Sequence, residues 1–304
     1  MNEKMHVGWI GTGVMGCAMA AHLLDAGYSL TVYNRTREKA QPLIDKGAKW
    51  ADSPKEVAIV SDIVFSIVGF PADVESVTLG DWGALGGLRK GGILCDMTTS
   101  SPALAKRIAD IAGNVGCFSL DAPVTGGDVG ARNATLSIFC GGNEDAFNRA
   151  LPCFESMGKK ILFCGASGRG QQAKLANQIA VANVMFSVCE SMLYAQEAGL
   201  DVAKWLELVV AGAGGSAAMS NLGPRILADN FDPGFFIDHF VKDLGLCLEE
   251  SRRMNLVLPG TTLADEFYRM IQAQGGGKLG TQALIRCLAK LSGKQWGAAQ
   301  PPRQ

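Results

Sequence analysis

The sequence predicts an α/β fold in which a doubly wound, largely parallel sheet comes first and an all-helical part follows, joined to it by one long helix. Three observations predict it. Short apolar runs and stretches of helical period alternate up to about residue 165, no convincing strand follows, and a long apolar-rich helical stretch, 171–198, lies where the texture changes. The expected division is a sheet domain over residues 1–166 and, over 167–304, the connecting helix with a helical domain for substrate and assembly.

The first element is an apolar run at 7–10, the length of a buried parallel strand. It is cut off by Gly11, Gly13 and Gly16, spaced GxGxxG, and followed at helical period by Met15, Met19, Ala20, Leu23 and Leu24. Residues 28–33 (YSLTVY) read as the next strand. Strand, glycine turn, helix and strand within about thirty residues is the context that makes a glycine motif a dinucleotide-binding hypothesis. Gly11 permits the tight turn, Gly13 lets backbone N–H groups approach a pyrophosphate, and Gly16 lets the helix sit close on the strand. Thr12, Val14 and Met15 complete the turn, and the helix N-terminus faces the anion with unpaired donors. At the end of the second strand an NAD site usually has a carboxylate for the ribose 2′-hydroxyl. Here stand Asn34, Arg35 and Thr36, with no carboxylate before Glu38. A guanidinium and a hydroxyl suit a 2′-phosphate, so NADP is the expected cofactor, with NAD possible; the competing reading of Arg35 is a solvated loop arginine.

Further strands are expected at 60–68, 92–97, 117–122, 136–140 and 160–164, with helices at 102–112 and 144–157 between them. Ligands of such sheets collect at the carboxyl ends of strands. Val68 and Gly69 end one strand on that side; Thr98 and Thr99 end another, and Thr125, Gly126 and Gly127 follow a third. Hydroxyls at such places also cap helices and close turns, and both readings stand for each threonine. Gly165, Gly168 and Gly170 then break the chain. Beyond the long helix come helical patterns at 202–210, 219–228, 237–254, 263–273 and 281–291, with Gly293 as a stop signal and a tail, GKQWGAAQPPRQ, poorly suited to order. In the long helix, Lys174, Asn177 and Gln178 share a face within the small, apolar context AKLANQIAVANVMF. A lysine on a helix is ordinarily surface; this one follows a sheet strand and a glycine break at the junction of domains, where clefts form.

Composition narrows the class. A chain of 304 residues exceeds one average domain, and a net charge of −1 with scattered Lys and Arg gives no footprint for nucleic acid. No apolar run approaches membrane length, and MNEKMH runs straight into a strand without room for a signal peptide, so a soluble, cytoplasmic protein with no membrane partner is expected. The nine cysteines sit mostly in apolar contexts without a CxxC, as reduced core residues do. His6, His22 and His239 lack ligand spacing, so no metal is expected, and His22 reads as a packed or solvated helix residue.

Four ordered segments carry a resemblance. WIGTGVMGCAMAAHL, DAPVTGGDVGARNATLSIFCGG, GRGQQAKLANQ and FFIDHFVKDLGLCLEE resemble the cofactor, substrate, catalytic and closing segments of the 3-hydroxyisobutyrate dehydrogenase (β-hydroxyacid dehydrogenase) family. Thr12 departs from the leucine usual between the first two glycines, and Thr125 from the usual serine. The resemblance implies a Rossmann-type domain, an interdomain helix, a helical domain, a homo-dimer or homo-tetramer, and reversible NAD(P)-linked oxidation of a small hydroxy acid. It implies Lys174 as the general acid/base, with partial burial bringing its pKa toward working pH. Asn177, Gln178, Thr125, Gly126 and Gly127 would orient a small-molecule carboxylate substrate, with Phe235 as an apolar wall. Thr99 would lie near the nicotinamide and substrate, and Lys242 and Asp243 would reach the same cleft, the former as a cofactor contact and the latter as a substrate contact. Two other readings, a nucleotide-binding module without chemistry and an imine reductase, would be expected to lack the lysine. Within the family, Thr125 and Phe236 leave the acid open among 3-hydroxyisobutyrate with its semialdehyde, glyoxylate, succinic semialdehyde and tartronate semialdehyde.

Overall fold

A computed structural model describes residues 5–297 and divides the chain into two compact units, Met1–Leu175 and Ala176–Gln304. The first contains β1 (Val7–Ile10), α1 (Val14–Asp25), β2 (Leu30–Tyr33), α2 (Gln41–Asp45), β3 (Lys49–Trp50), α3 (Pro54–Ile59), β4 (Ile63–Ser66) and α4 (Pro71–Leu79). It continues with β5 (Ile93–Asp96), α5 (Pro102–Asn114), β6 (Phe118–Asp121), β7 (Val124–Thr125), α6 (Gly127–Arg132), β8 (Leu136–Gly142), α7 (Glu144–Met157) and β9 (Gly158–Gly165). The strand order is β3-β2-β1-β4-β5-β6-β8-β7, with β9 also on β8. Pairing from β3 to β6 is parallel, β8 runs antiparallel to β6 and β7, and β9 runs parallel to β8. The order reverses between β1 and β4, the switch point beside which such sheets bind ligands.

Strand alternation builds a core on each face. Val7, Trp9, Ile63, Phe65, Ile93 and Cys95 pack with Met19 and Leu23 of α1 and Phe154 of α7. The residues between them, Ile10, Val64 and Leu94, pack with Val57, Val74 and Ile108 of α3, α4 and α5. Trp9 stacks on Phe65 at 5.7 Å, and its indole N–H donates to the Gly11 carbonyl at 2.8 Å, which ties the core to the glycine turn. Helices α3, α5 and α7 start on side-chain caps, Ser53, Ser101 and Asn143, which accept from the third residue of each helix.

The second unit is helical: α8 (Arg169–Glu197), which begins in the first unit, then α9 (Val202–Val210), α10 (Ala217–Leu227), α11 (Ile237–Arg253), α12 (Pro259–Ala273) and α13 (Leu284–Leu291). Met185, Val188, Cys189 and Met192 of α8 share its core with Phe240, Tyr268 and Leu284. The Tyr268 ring meets Phe240 edge-on at 4.9 Å, and its hydroxyl donates to Thr281 O at 3.0 Å. By length and composition α8 is long and apolar enough to cross a membrane, yet those four residues are buried in protein core. Among the described residues this unit has no strand, only an isolated antiparallel bridge between Phe236 and Gly280.

The α/β class and the order of sheet before helices are as the sequence predicts. The differences are local. The strand expected over 60–68 shrinks to Ile63–Ser66, because Val60 closes α3. The two-residue strands β3 and β7 and the short helix α6 have too few residues to show a period. The helix expected from 263 opens at Pro259, with proline in its first turn. The tail expected to be poorly ordered lies, from 298 onward, outside the described residues.

Candidate active site

At the glycine turn, Gly11 has a left-handed φ of +96°, and a Cβ on it would overlap the Ile67 carbonyl. A Cβ on Gly16 would overlap the Gly11 carbonyl, so α1 lies against the turn backbone to backbone. Around Gly13 the geometry is the reverse, with nothing within 4 Å of where a Cβ would stand. Gly13 caps α1 without a side chain, no acidic residue lies in the first turn, and Val14 just inside it is exposed. An uncapped N-terminus beside open space fits an anionic pyrophosphate, whose oxygens take the donors that a capping side chain would otherwise take. The Thr12 hydroxyl is buried with no hydrogen-bond partner among the described residues.

The end of β2 is tied to this turn. Asn34 Oδ1 accepts from Thr12 N at 2.9 Å, and its amide nitrogen donates to Thr36 O at 2.8 Å, so both ends of this side chain hold the loop in shape. Arg35 is 89% exposed, its guanidinium 3.9 Å from Asp73 of α4. Asp73 also accepts from Phe70 N at 3.1 Å. The carboxylate that faces Arg35 therefore comes from the first turn of α4, outside the segment in which the sequence pattern looks for one.

The carboxyl ends of β4, β5 and β6 are joined by a buried network that the sequence reading missed. Asp96 and Asp121 end β5 and β6 as register partners. Asp96 accepts from Ser66 Oγ at 3.0 Å and Thr98 N at 3.1 Å, and Thr98 Oγ1 accepts from Val68 N at 2.9 Å. Asp121 accepts from Gly168 N at 2.7 Å and Gln171 N at 2.8 Å, the first turn of α8. Gln171, fully buried, accepts from Ser100 N at 2.8 Å and donates to Thr98 O at 2.7 Å. A Cβ on Gly170 would overlap the Asp121 carbonyl, and one on Gly141 of β8 would lie 2.7 Å from Gly170 N, so α8 starts in backbone contact with the sheet. An aspartate closing each of two apolar strands (ILCD, FSLD) was the available signal; Gln171 offers none, since its side-chain partners lie more than seventy residues away.

Lys174 follows Gln171 by three residues and is only 6% exposed. Asn177 and Gln178 lie three and four residues further along the same unbroken helix. Within the helical unit, Asn177 Nδ2 donates to Gln178 Oε1 at 2.9 Å and Gln178 Nε2 to Asp243 Oδ2 at 2.6 Å. The Lys242 ammonium lies 2.8 Å from the other oxygen of Asp243, whose side chain is 1% exposed. Phe235 faces the Phe240 ring at 5.7 Å and the His239 ring at 6.5 Å. Burial, reinforced by Lys242, pushes the His239 pKa down. In the first unit, Thr125 ends β7 opposite Ser137, and Gly126 (φ +130°) and Gly127 (φ +63°) lead into α6 in conformations that favour glycine. Thr99 lies between the two residues that Gln171 binds. Among the described residues, no cluster of three or more His, Cys, Asp or Glu side chains forms a metal site.

Comparison with known proteins gives this arrangement its family. Residues 6–165 match the model described as the NAD binding domain of 6-phosphogluconate dehydrogenase, and residues 168–288 match that described as the NAD-binding of NADP-dependent 3-hydroxyisobutyrate dehydrogenase. The chain is 56% identical over 287 residues to the Arabidopsis thaliana protein named probable 3-hydroxyisobutyrate dehydrogenase-like 1, mitochondrial, covering 94% of this chain and 86% of that one. It is 38% identical to the 2-hydroxy-3-oxopropionate reductase of Escherichia coli, covering 93% and 97%. A crystal structure of 3-hydroxyisobutyrate dehydrogenase from Salmonella typhimurium superposes with a TM-score of 0.85 at 28% identity, over 93% of this chain and 99% of that one. Fold and site thus define an NAD(P)-dependent oxidoreductase acting on CH–OH groups, a hydroxyacid dehydrogenase. The chain belongs to the 3-hydroxyisobutyrate dehydrogenase family.

The buried aspartates carry a pH signature. Burial is the main cause that pushes both Asp96 and Asp121 up to about 6, against the hydrogen bonds each accepts, and Asp121 raises Asp96 further. A carboxyl whose folded pKa is raised contributes stability that is fully present below its ordinary value of 3.8 and is lost as pH rises through about 6. Carboxyl ¹³C NMR is expected to record two aspartates titrating as a coupled pair with midpoints near 6. Midpoints below about 4.5 for every aspartate would contradict this assignment.

Proposed function

We propose that this protein transfers hydride between NADP(H) and a small 3-hydroxy acid or its semialdehyde, with Lys174 as the general acid/base. The observation that carries the reading is a buried lysine one turn beyond the point where α8 is bonded to the strand ends. The nicotinamide dinucleotide, when bound, supplies or accepts the hydride. Everything else falls to the chain. The Lys174 ammonium polarises the carbonyl oxygen and gives it a proton as the alcohol forms; in the reverse direction the neutral amine takes the alcohol proton. Thr125 and the backbone of Gly126 and Gly127 hold the substrate carboxylate. From the helical unit the reading takes Asn177, Gln178, Phe235 and Asp243 for substrate and Lys242 for cofactor. Gly11, Thr12, Gly13, Val14, Met15 and Gly16 cradle the pyrophosphate, Val68, Gly69 and Thr99 flank the nicotinamide side, and Asn34, Arg35 and Thr36 receive the 2′-phosphate. A second reading within the family, reduction of tartronate semialdehyde, is favoured by the likeness to the 2-hydroxy-3-oxopropionate reductase of Escherichia coli. Glyoxylate, succinic, tartronate and methylmalonate semialdehydes assayed with both cofactors separate these. The nine free cysteines suit a reducing compartment, and we assign the protein to the cytoplasm; the mitochondrial name is that of the Arabidopsis relative.

Lys174→Ala is expected to fold and bind cofactor while turnover falls by more than the roughly 10²–10⁴-fold that acid catalysis alone contributes. Stopped-flow and steady-state assays that find over a tenth of wild-type turnover would remove Lys174 from this role.

Cofactor choice rests on Arg35. Charge-assisted hydrogen bonds contribute about 1.5–3 kcal/mol, so NADPH should be preferred to NADH by roughly 10- to 150-fold in Kd. Solvent screening at so exposed an arginine, and its neighbour Asp73, favour the lower end. In fluorescence titrations, Arg35→Ala should weaken NADPH and leave NADH nearly unchanged; equal losses would mean that the arginine only stacks on the adenine.

We also propose a homo-dimer or homo-tetramer that covers apolar side chains exposed on the helical unit, Leu208, Tyr194 and Leu200 among them. Light scattering at micromolar concentration should report a multiple of 32.0 kDa, and a purely monomeric reading would exclude it.

A further inference from the structure

We infer that Gln171 is a positioning residue that fixes the Thr98–Thr99–Ser100 turn against the helical turn carrying Lys174. The inference rests on the reading of Lys174 given above. One primary amide makes both bonds: it accepts from Ser100 N at 2.8 Å and donates to Thr98 O at 2.7 Å. A group with a donor and an acceptor side by side serves a peptide segment in this way, and the amides of Asn and Gln have one at every pH. The two bonds bracket Thr99, so its backbone is held from both sides.

The other end of Gln171 is held as firmly. Its backbone N–H donates to Asp121 at the end of β6, beside the bond from Gly168. The turn is fixed from the strand side too, since Thr98 N donates to Asp96 and Thr98 Oγ1 accepts from Val68 N. Gln171 thus bonds α8 directly to the segment after β5. With both attachments made, the separation between Thr99 and Lys174 is set by a buried amide bonded at both its oxygen and its nitrogen and by one turn of helix. A misplacement of about 1 Å between reacting groups costs up to about 10²-fold in rate. That sensitivity makes a clamp at this point a matter of turnover as well as of stability.

Two variants test it. Gln171→Met keeps the shape and removes both bonds; Gln171→Glu, assayed at a pH where the new carboxyl is ionised, keeps an acceptor for Ser100 and loses the donor for Thr98. In the cofactor-free protein, amide hydrogen exchange at Ser100 is expected to quicken at least tenfold in Gln171→Met. With the fastest aldehyde of the panel above, its kcat should fall by about 10- to 100-fold. The NADPH Kd should stay within threefold, and the isotope effect from NADPH deuterated at the transferred hydrogen should rise as chemistry limits turnover. A merely structural glutamine would lower the melting temperature and leave kcat and the isotope effect of the folded enzyme unchanged, and that result, or unchanged exchange at Ser100, would overturn the proposal. If Gln171→Met does not fold, Gln171→Glu is judged by the same kcat and isotope-effect criteria. The two readings fail separately: a highly active Lys174→Ala refutes the acid/base assignment and leaves Ser100 exchange to decide the clamp, whereas an inactive Lys174→Ala beside a fully active Gln171→Met refutes the clamp alone.

Discussion

A carboxylate at the end of one strand decides where a helix begins. Asp121 takes the N–H groups of Gly168 and Gln171, donors that the first turn of any helix leaves without partners. The negative charge also lies at the positive end of α8, where the helix dipole favours it. Its register partner Asp96 holds the neighbouring turn through Thr98 N and Ser66 Oγ. Two adjacent acids in the interior oppose each other's ionisation, and the fold accepts that cost for two loops whose backbones are fixed from the strand ends.

The helix N-termini of the sheet unit are not all treated alike. Helices α3, α5 and α7 close theirs with Ser53, Ser101 and Asn143. Helix α8 has its first turn bound by a buried acid from another element. Helix α1 has no side-chain cap, and the space beside Gly13 stays open. The donors left over at α1 are the ones suited to an anion brought from outside, which is why the glycine turn reads as a binding site.

Much of this was legible in the sequence because its signals are local. The run 7–36 contains strand, glycines, helix and strand in order, and each has a period or a residue type that the backbone requires. The long helix was legible by its apolar texture and the glycines before it. The Gln171 bonds were not, since a glutamine in GRGQQAK looks like any solvated helix residue until the turn after β5 folds over it. Asp73 beside Arg35 was hidden in the same way, by thirty-seven intervening residues that include two strands and two complete α-helices. The antiparallel direction of β8 had no signal either, because alternation fixes which face a side chain takes and says nothing of which way the strand runs.

The glycines under α8 set limits on how this enzyme can diversify. At Gly170 the contact is made by main chain, and at Gly141 by main chain and the Asp121 carboxylate, so a side chain at either would push against the start of the helix. Mutation at either position is therefore felt as a displacement of Lys174, so natural or laboratory selection for a new acid has no graded path through them. Change is easier at positions where one side chain exchanges for another without moving the frame. Chemistry is inherited with the backbone, and preference drifts on the side chains around it.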